Sequence, residues 1–339
     1  MGWRIVALLP VSILVLCAPS PEPDPGIWIG RARLAALPTQ GPAWDALLLA
    51  AQRDTGSPDL SDKSDPVNVL VLAKALVYAR SGELRYRQAV IDACRAAMGT
   101  EGGSTLALGR ELAAYVIAAD LVGLPEPDDR AFRTWLRQVR ELPLKGRTLI
   151  STHDDRPNNW GTHAGASRIA IAVYLDDRKE LERAARVFRA WLGERGFHDG
   201  LRYREAWWQA DPTAPVGINS SGTSKQGHSI DGVLPDDQRR GGPFAWPPPH
   251  ENYVYEALQG ALAQALLLHR AGYDVWSWSD RALLRAFRWL HDEAHYPAEG
   301  DDTWQPHVIN YHYDTQFPAP VPARPGKNVG WTDWTHARS

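Results

Sequence analysis

Along most of the chain, apolar residues return every three or four positions. After Asp65-Pro66, a cap and first-turn pair, Val67, Leu70, Val71, Lys74, Ala75 and Tyr78 follow at helical spacing. From Glu83 to Met98, one face carries Tyr86, Val90, Ile91, Cys94 and Ala97. The segments 106–122, 129–140, 158–175 and 178–192 extend the series, a short apolar segment at 43–52 precedes it, and 253–271 and 280–294 close it. Gly82, Gly99, Gly123 and Gly193 sit where helices should stop. No stretch of comparable length alternates with the period of a strand. The pattern predicts an all-α protein. Short connections between helices favour antiparallel pairs, and this many pairs predicts an α/α toroid with long loops over one mouth. One domain over 31–339 suits the pattern better than a division near residue 200.

Residues 195–250 break the helical rhythm. They are rich in Gly, Pro and Trp, and a connection this long is functional or disordered. Tyr203, Trp207, Trp208, Phe244 and Trp246 argue for order. The tail from Tyr296 has a similar composition, and its Trp304, Tyr311, His312, Tyr313, Trp331 and Trp334 either cover a cleft or pack on the helices. At the other end, residues 1–20 read as an export signal: Arg4 leads an apolar run from Ile5 to Cys17, too short to span a bilayer comfortably. Leu16 is large for the residue before a lipid-anchored cysteine, so ordinary cleavage is favoured over a Cys17 lipoprotein. Residues 21–30 read as a linker. The expected product is exported, secreted or periplasmic, free of the membrane after signal removal, and left with Cys94 as its one thiol.

Net charge of −3 and a pI near 6.4 give no basic footprint, which excludes nucleic acid as the main partner. Fifteen tryptophans against six phenylalanines point towards carbohydrate, since the indole ring stacks on sugars and carries a polar edge. Three segments bear candidate chemistry. Asn158-Asn159-Trp160, with His163 four residues after Asn159, opens a helix and offers amide donors and a titratable ring, although a cap and a core histidine would look the same. The run 227–241 crowds His228, Asp231, Asp236, Asp237, Arg239 and Arg240 together, as a solvated charged loop also would. Then 250–260 leads from loop into helix through Tyr253 and Tyr255, which packing alone would also explain.

Taken together, Asn158-Asn159, then Asp231-Gly232-Val233-Leu234-Pro235-Asp236-Asp237-Gln238-Arg239-Arg240-Gly241, then Tyr253 with Ala257-Leu258-Gln259, resemble the alginate lyase family of polyuronate lyases. The resemblance runs over about residues 65–290. It implies a toroid with its cleft at one mouth, an anionic polysaccharide as partner, and β-elimination at a 4-linked uronate. In that chemistry the C5 proton becomes acidic only when the neighbouring carboxylate is neutralised by hydrogen bonds or charge. The resemblance makes Asn159 the neutraliser, helped by Asn158 or His163. It makes Tyr253 the base, the acid or both. A free tyrosine titrates near ~10 and needs a cation close by to act as a base, for which Arg240 is the match. Trp160 stands where relatives carry a histidine, so His163 or His228 must fill that role, or none does. The stretch from Arg240 to Tyr253 is also longer than the family pattern, which puts their contact in question. Asp237 matches a family acid and would orient Arg240 or meet substrate. Trp160, Trp207, Trp208, Trp246 and Tyr255 are the remaining substrate-binding candidates.

In mannuronate and glucuronate the C5 proton and the leaving oxygen share a face, so a single tyrosine can serve both steps. In guluronate they lie on opposite faces and a second group is needed. With the histidine in question, mannuronate- or glucuronate-type linkages are favoured. A toroidal glycoside hydrolase is the alternative enzyme, with Asp154 or Asp155 opposed to Asp237 or Glu251. A non-catalytic polysaccharide-binding protein is the third reading. His291 and His295 lack the glutamate placement of a metalloprotease motif, and no acidic cluster has calcium-loop spacing, so neither metal nor cofactor is expected. Arg110 and Tyr115 are further candidates for the inner wall.

Overall fold

The computed structural model describes residues 24–338. The export signal, Cys17 and the first part of the linker lie outside that range. Helices follow in the order α1 (Arg31–Ala36), α2 (Pro42–Gln52), α3 (Val67–Ser81), α4 (Leu84–Ala97), α5 (Thr105–Val122), α6 (Glu126–Val139), α7 (Leu149–Asp155), α8 (Asn159–Tyr174) and α9 (Arg178–Trp191). After a long loop come α10 (Pro235–Gln238), α11 (Asn252–Arg270), α12 (Trp278–Arg288), α13 (Gln305–Tyr313) and α14 (Thr332–Thr335). The fold is all-α. Among the described residues a single small hairpin pairs β1 (Ser224–Lys225) with β2 (His228–Ser229) inside that loop.

Two kinds of helix build the molecule. α3, α5, α8 and α11 are buried on nearly every side, and they pack in that order, α5 between α3 and α8, and α8 between α5 and α11. Helices apolar all round belong to an inner layer. α6 and α9 are amphipathic: α9 buries Ala184, Val187, Phe188 and Trp191 and turns its Arg and Lys side chains outward. The inner helices touch closely because glycine lets them. A Cβ on Gly109 of α5 would sit 2.8 Å from the Ala164 backbone nitrogen, and one on Gly260 of α11 would sit 2.4 Å from the Thr162 carbonyl carbon. α8 is thus held on both sides by glycine contacts.

The inner helices run the same way. His163 of α8 meets Glu256 of α11, and further along both helices Gly165 faces Gln264. At the far end, Asp120 of α5 accepts from the Ile27 N–H (3.1 Å), and Arg270 of α11 donates to the Gly26 carbonyl (3.2 Å). The stretch read as a linker is therefore docked in its described part, with Trp28 and Ile29 in the core. The N-terminal ends of α5, α8 and α11 consequently open onto one mouth, which the long loop borders.

That loop is ordered by its polar contacts. The Arg202 N–H donates to the Asp155 carbonyl (2.9 Å), the Arg204 N–H to Asp236 Oδ1 (3.1 Å) and the Asn219 N–H to the Val233 carbonyl (2.9 Å). Helix α7, absent from the sequence reading, starts at a Thr148–Ser151 capping box in which each side chain accepts the other's N–H. Serine does there what glutamate does in the usual pattern.

Candidate functional site

The start of α8 carries the first half of the site. Asn158 caps the helix, its Oδ1 accepting from the Trp160 N–H at 3.2 Å. Asn159 is the first helical residue, and its backbone N–H donates to Asp237 Oδ1 at 3.1 Å. Its side chain is therefore free for other work. Asn159 Oδ1 accepts from an Arg240 guanidinium nitrogen at 3.4 Å, while Nδ2 is buried and has no partner. An unpaired buried N–H donor is costly in a folded protein and calls for a ligand or a water.

The second half comes from α10, the turn after it and the start of α11. The Arg240 guanidinium lies over the Tyr253 ring, 3.8 Å from its centroid. The longer connection between these residues does not keep them apart, because it loops out and returns. Tyr253 is exposed, and its N–H is capped by Glu251 Oε1 at 3.1 Å. Asn159, Arg240 and Tyr253 thus form one continuous row at the mouth. Asp237 sits behind this row, fully buried. Burial, with Asp236 alongside, pushes its carboxyl well above the usual carboxylate range, against the opposing pull of the Asn159 N–H and Arg240. Its role in the structure is to fix the Asn159 backbone.

One turn deeper lies a different arrangement. His163 is completely buried, with Nδ1 2.6 Å from Asn328 Oδ1 and Nε2 3.4 Å from Glu256 Oε2. Glu256 also pairs with Arg110 of α5. Burial alone would raise the Glu256 carboxyl, but the His163 bond and the charges of His163, Arg110 and Lys327 hold it down at about 2. Burial lowers His163 from its ordinary value. Both nitrogens of the ring are engaged, so it is placed as part of this internal network and not as a free base at the mouth.

The other candidates divide cleanly. Trp160 is half-buried under the Arg156 guanidinium, 5.6 Å from the ring centroid. Trp207 is exposed. His228 stacks on Trp246, with ring centroids 4.3 Å apart, on the hairpin side of the loop. Trp208 and Tyr255 are in the core: the Trp208 indole donates to the Gly242 carbonyl (3.0 Å), and the Tyr255 hydroxyl to the Tyr296 carbonyl (2.7 Å). Neither presents a face to a sugar. The same holds for most of the tryptophan that suggested carbohydrate, since ten of the fifteen are buried, Trp304, Trp331 and Trp334 of the tail among them. A cavity of about 350 Å³ beside α12, lined by Asp231, Arg281, Arg285 and Trp289 among others, contains Asp231 but none of Asn159, His163, Asp237, Arg240 and Tyr253.

The carboxylates of the hydrolase alternative each have a partner, but Asp237 keeps Oδ2 buried and unpaired. Asp154 pairs with Arg168 (2.6 Å), Asp155 with Arg147, Asp237 with the Asn159 N–H, and Glu251 with the Tyr253 N–H.

Residues 74–208 match the family model for alginate lyase. That stretch belongs to the alginate lyase family. The match supports a polysaccharide lyase, and a polyuronate substrate goes with it. It takes in Asn158, Asn159 and His163 and ends before Asp237, Arg240 and Tyr253, which the fold brings to the same mouth. No curated protein matches the chain. No described helix is long and apolar enough to cross a membrane. The sequence reading named Arg110 for the inner wall but passed over its partner Glu256 and the residue Asn328. Glu256 lies three residues after Tyr253 on α11, and that spacing was the one available signal.

Proposed function

We propose that this alginate lyase family chain cleaves a 4-linked polyuronate by β-elimination at the row Asn159–Arg240–Tyr253. The observation that carries the reading is the free Asn159 Nδ2, buried beside a guanidinium that also covers an exposed tyrosine. A uronate carboxylate set against Asn159 would accept from Nδ2 and lie close to the positive charge of Arg240. Both interactions strengthen as the carboxylate takes on enolate character, so they stabilise the transition state more than the ground state. Tyr253, as phenolate, would take the C5 proton and then return it to the leaving C4 oxygen. Arg240 provides positive charge against its ring in the step where negative charge appears there.

One group serving both proton transfers requires the proton and the leaving oxygen on the same face. Mannuronate and glucuronate meet that condition. His163 is engaged on both nitrogens beneath the row and His228 is stacked on Trp246, so neither is positioned as the second base a guluronate would need. The test follows ultraviolet absorbance with polymannuronate, polyguluronate, glucuronan and a neutral glucan. A rise on polymannuronate or glucuronan, abolished in Tyr253→Phe, is expected. New reducing ends without absorbance would replace the lyase with a hydrolase, and cleavage of polyguluronate alone would overturn the stereochemical argument.

A further inference from the structure

We infer that the end of the molecule opposite the mouth carries a second binding site, for a small oxyanion of the phosphate or sulfate kind. The site shares no residue with the row Asn159–Arg240–Tyr253 and stands whether or not the lyase reading does.

The far end of α11 meets the docked segment at Trp28 and the tail of the chain, and a cavity of about 110 Å³ opens between them. Arg33 of α1 and Arg270 of α11 place two guanidinium groups on its wall. Both direct their hydrogen bonds to neutral oxygens. Arg33 donates to the Thr335 carbonyl (2.9 and 2.7 Å) and to the Tyr311 hydroxyl, and Arg270 to the Gly26 (3.2 Å) and Asp24 carbonyls. A guanidinium has five N–H groups, so each keeps at least two to give. Among the described residues neither has a carboxylate within ion-pair distance. The one acid on the wall, Asp24, is used elsewhere: Oδ1 accepts from the Ala32 N–H (3.0 Å), and Oδ2 packs on Gly30, 1.7 Å from where a Cβ would sit.

Three histidines complete the wall. The His312 ring centroid lies 5.1 Å from that of His269 and 5.8 Å from that of His336. They are not a metal centre, since among the described residues no group of three or more His, Cys, Asp or Glu is placed to hold an ion. Trp28 Nε1 and His312 Nε2, on the same wall, are buried with no hydrogen-bond partner. An indole N–H can only donate, and Trp28 is 2% exposed, so the missing partner is an acceptor. The charges that bear most on the histidines of the tail are positive. Burial, His269 and Arg33 push His312 down to about 3, and burial, His312 and Arg33 carry His336 well below its ordinary value. Unfilled donors in a field of positive charge favour an anion, held by charge-assisted bonds. The cavity limits its size, admitting a compact ion and not a length of polysaccharide. A bound oxyanion would tie the docked segment, α1, α11 and α13 together through Trp28, Arg33, Arg270 and His312.

Calorimetric titration of the full chain with sulfate, inorganic phosphate and free glucuronate, in chloride of constant ionic strength, tests the site. One saturable site per chain is expected for sulfate and phosphate, with a Kd of about 1 mM or lower, and glucuronate should bind about tenfold more weakly. His312→Phe keeps a ring on Trp276 and removes the unpartnered nitrogen, and Arg270→Gln removes a charge. Each should weaken sulfate about tenfold, while Asn159→Ala at the mouth should bind it as the wild type does. If Arg270→Gln does not fold, His312→Phe decides by itself. No saturable binding of either ion, or binding that the wall variants leave unchanged, would overturn the site. Loss of sulfate binding in Asn159→Ala would also overturn it by moving the anion to the mouth. Glucuronate binding tighter than sulfate would overturn the choice of a small oxyanion.

Discussion

The same two helices carry two polar clusters, one turn apart, with opposite character. At the mouth, Asn159 of α8 and Tyr253 of α11 meet through Arg240, with a buried amide left unpaired and a phenol left open. One turn down, His163 and Glu256 of those helices meet through Arg110 and Asn328, and each of the two finds its partners within the protein. Both clusters combine a cation, an amide and a ring. They differ in what is left unpaired: at the mouth an amide nitrogen and a phenol that could meet a ligand, in the deep cluster Arg110 Nε, while His163 and Glu256 are both engaged. Groups that are satisfied hold the helices together, and groups held in place but unsatisfied are the ones left to bind and react.

The sharpest way to break the comparison is to remove one group from each cluster. Tyr253→Phe should lower kcat by about 10²–10⁴, the range for loss of a positioned acid–base group. Asn159→Ala should lower it by about 10²–10³, as for an oxyanion donor. Tyr253→Phe should melt with the wild type, because no bond within the protein holds its hydroxyl, and Asn159→Ala should lose only about 1 kcal/mol, the worth of the Oδ1 bond to Arg240. Melting far below the wild type in either variant would make the mouth a structural cluster. Glu256→Ala should do the reverse, leaving the Arg110 charge buried without its partner at a cost of about 3–5 kcal/mol. Denaturant unfolding measures this directly, and a loss below about 1 kcal/mol would show that the deep cluster is not what clamps α5, α8 and α11.

A smaller effect separates charge from shape at Arg240. Lysine there keeps the positive charge but not the flat guanidinium that lies on the Tyr253 ring and reaches Asn159. Arg240→Lys should therefore retain activity but lose about tenfold in kcat/KM. Full activity would mean that charge alone suffices, and activity as low as that of Tyr253→Phe would give Arg240 a direct part in proton transfer.

The contrast also explains what the sequence made legible. The inner helices could be read because their apolar residues run on every face, and Asn158 because a cap has a local signature. Tyr253 was legible only with its family pattern, and its meeting with Arg240 is a product of the returning loop. Trp208 and Tyr255 misled because an aromatic residue in a loop or at a helix start looks the same whether it faces a ligand or the core. Asn328 lies more than a hundred residues from His163 in sequence, and no periodicity or spacing connects them. Long-range closure of a polar network leaves no local trace, so the deep cluster had to be seen in three dimensions.

The finest distinction is electrostatic and concerns neighbouring glutamates. Glu256 is held down at about 2, so its contribution to stability is present above the ordinary carboxylate value of ~4.3 and is lost as pH falls through about 2. Glu111, next to Arg110 on α5, behaves in the opposite way. It is buried with Oε2 unpaired, and burial, reinforced by Asp65, pushes it up to about 9 despite Arg110 and Lys327. A raised carboxyl favours the fold below ~4.3 and withdraws that support as pH rises through about 9. Glu111→Gln removes the ionisation while keeping the shape. The variant should lie within about 1 kcal/mol of the wild type at about pH 5 and gain a further ~4 kcal/mol over it by about pH 8. Thermal melts of both proteins across that range check the sign. Parallel curves would mean that Glu111 already ionises freely inside the fold, with Arg110 shared between two carboxylates instead of committed to Glu256.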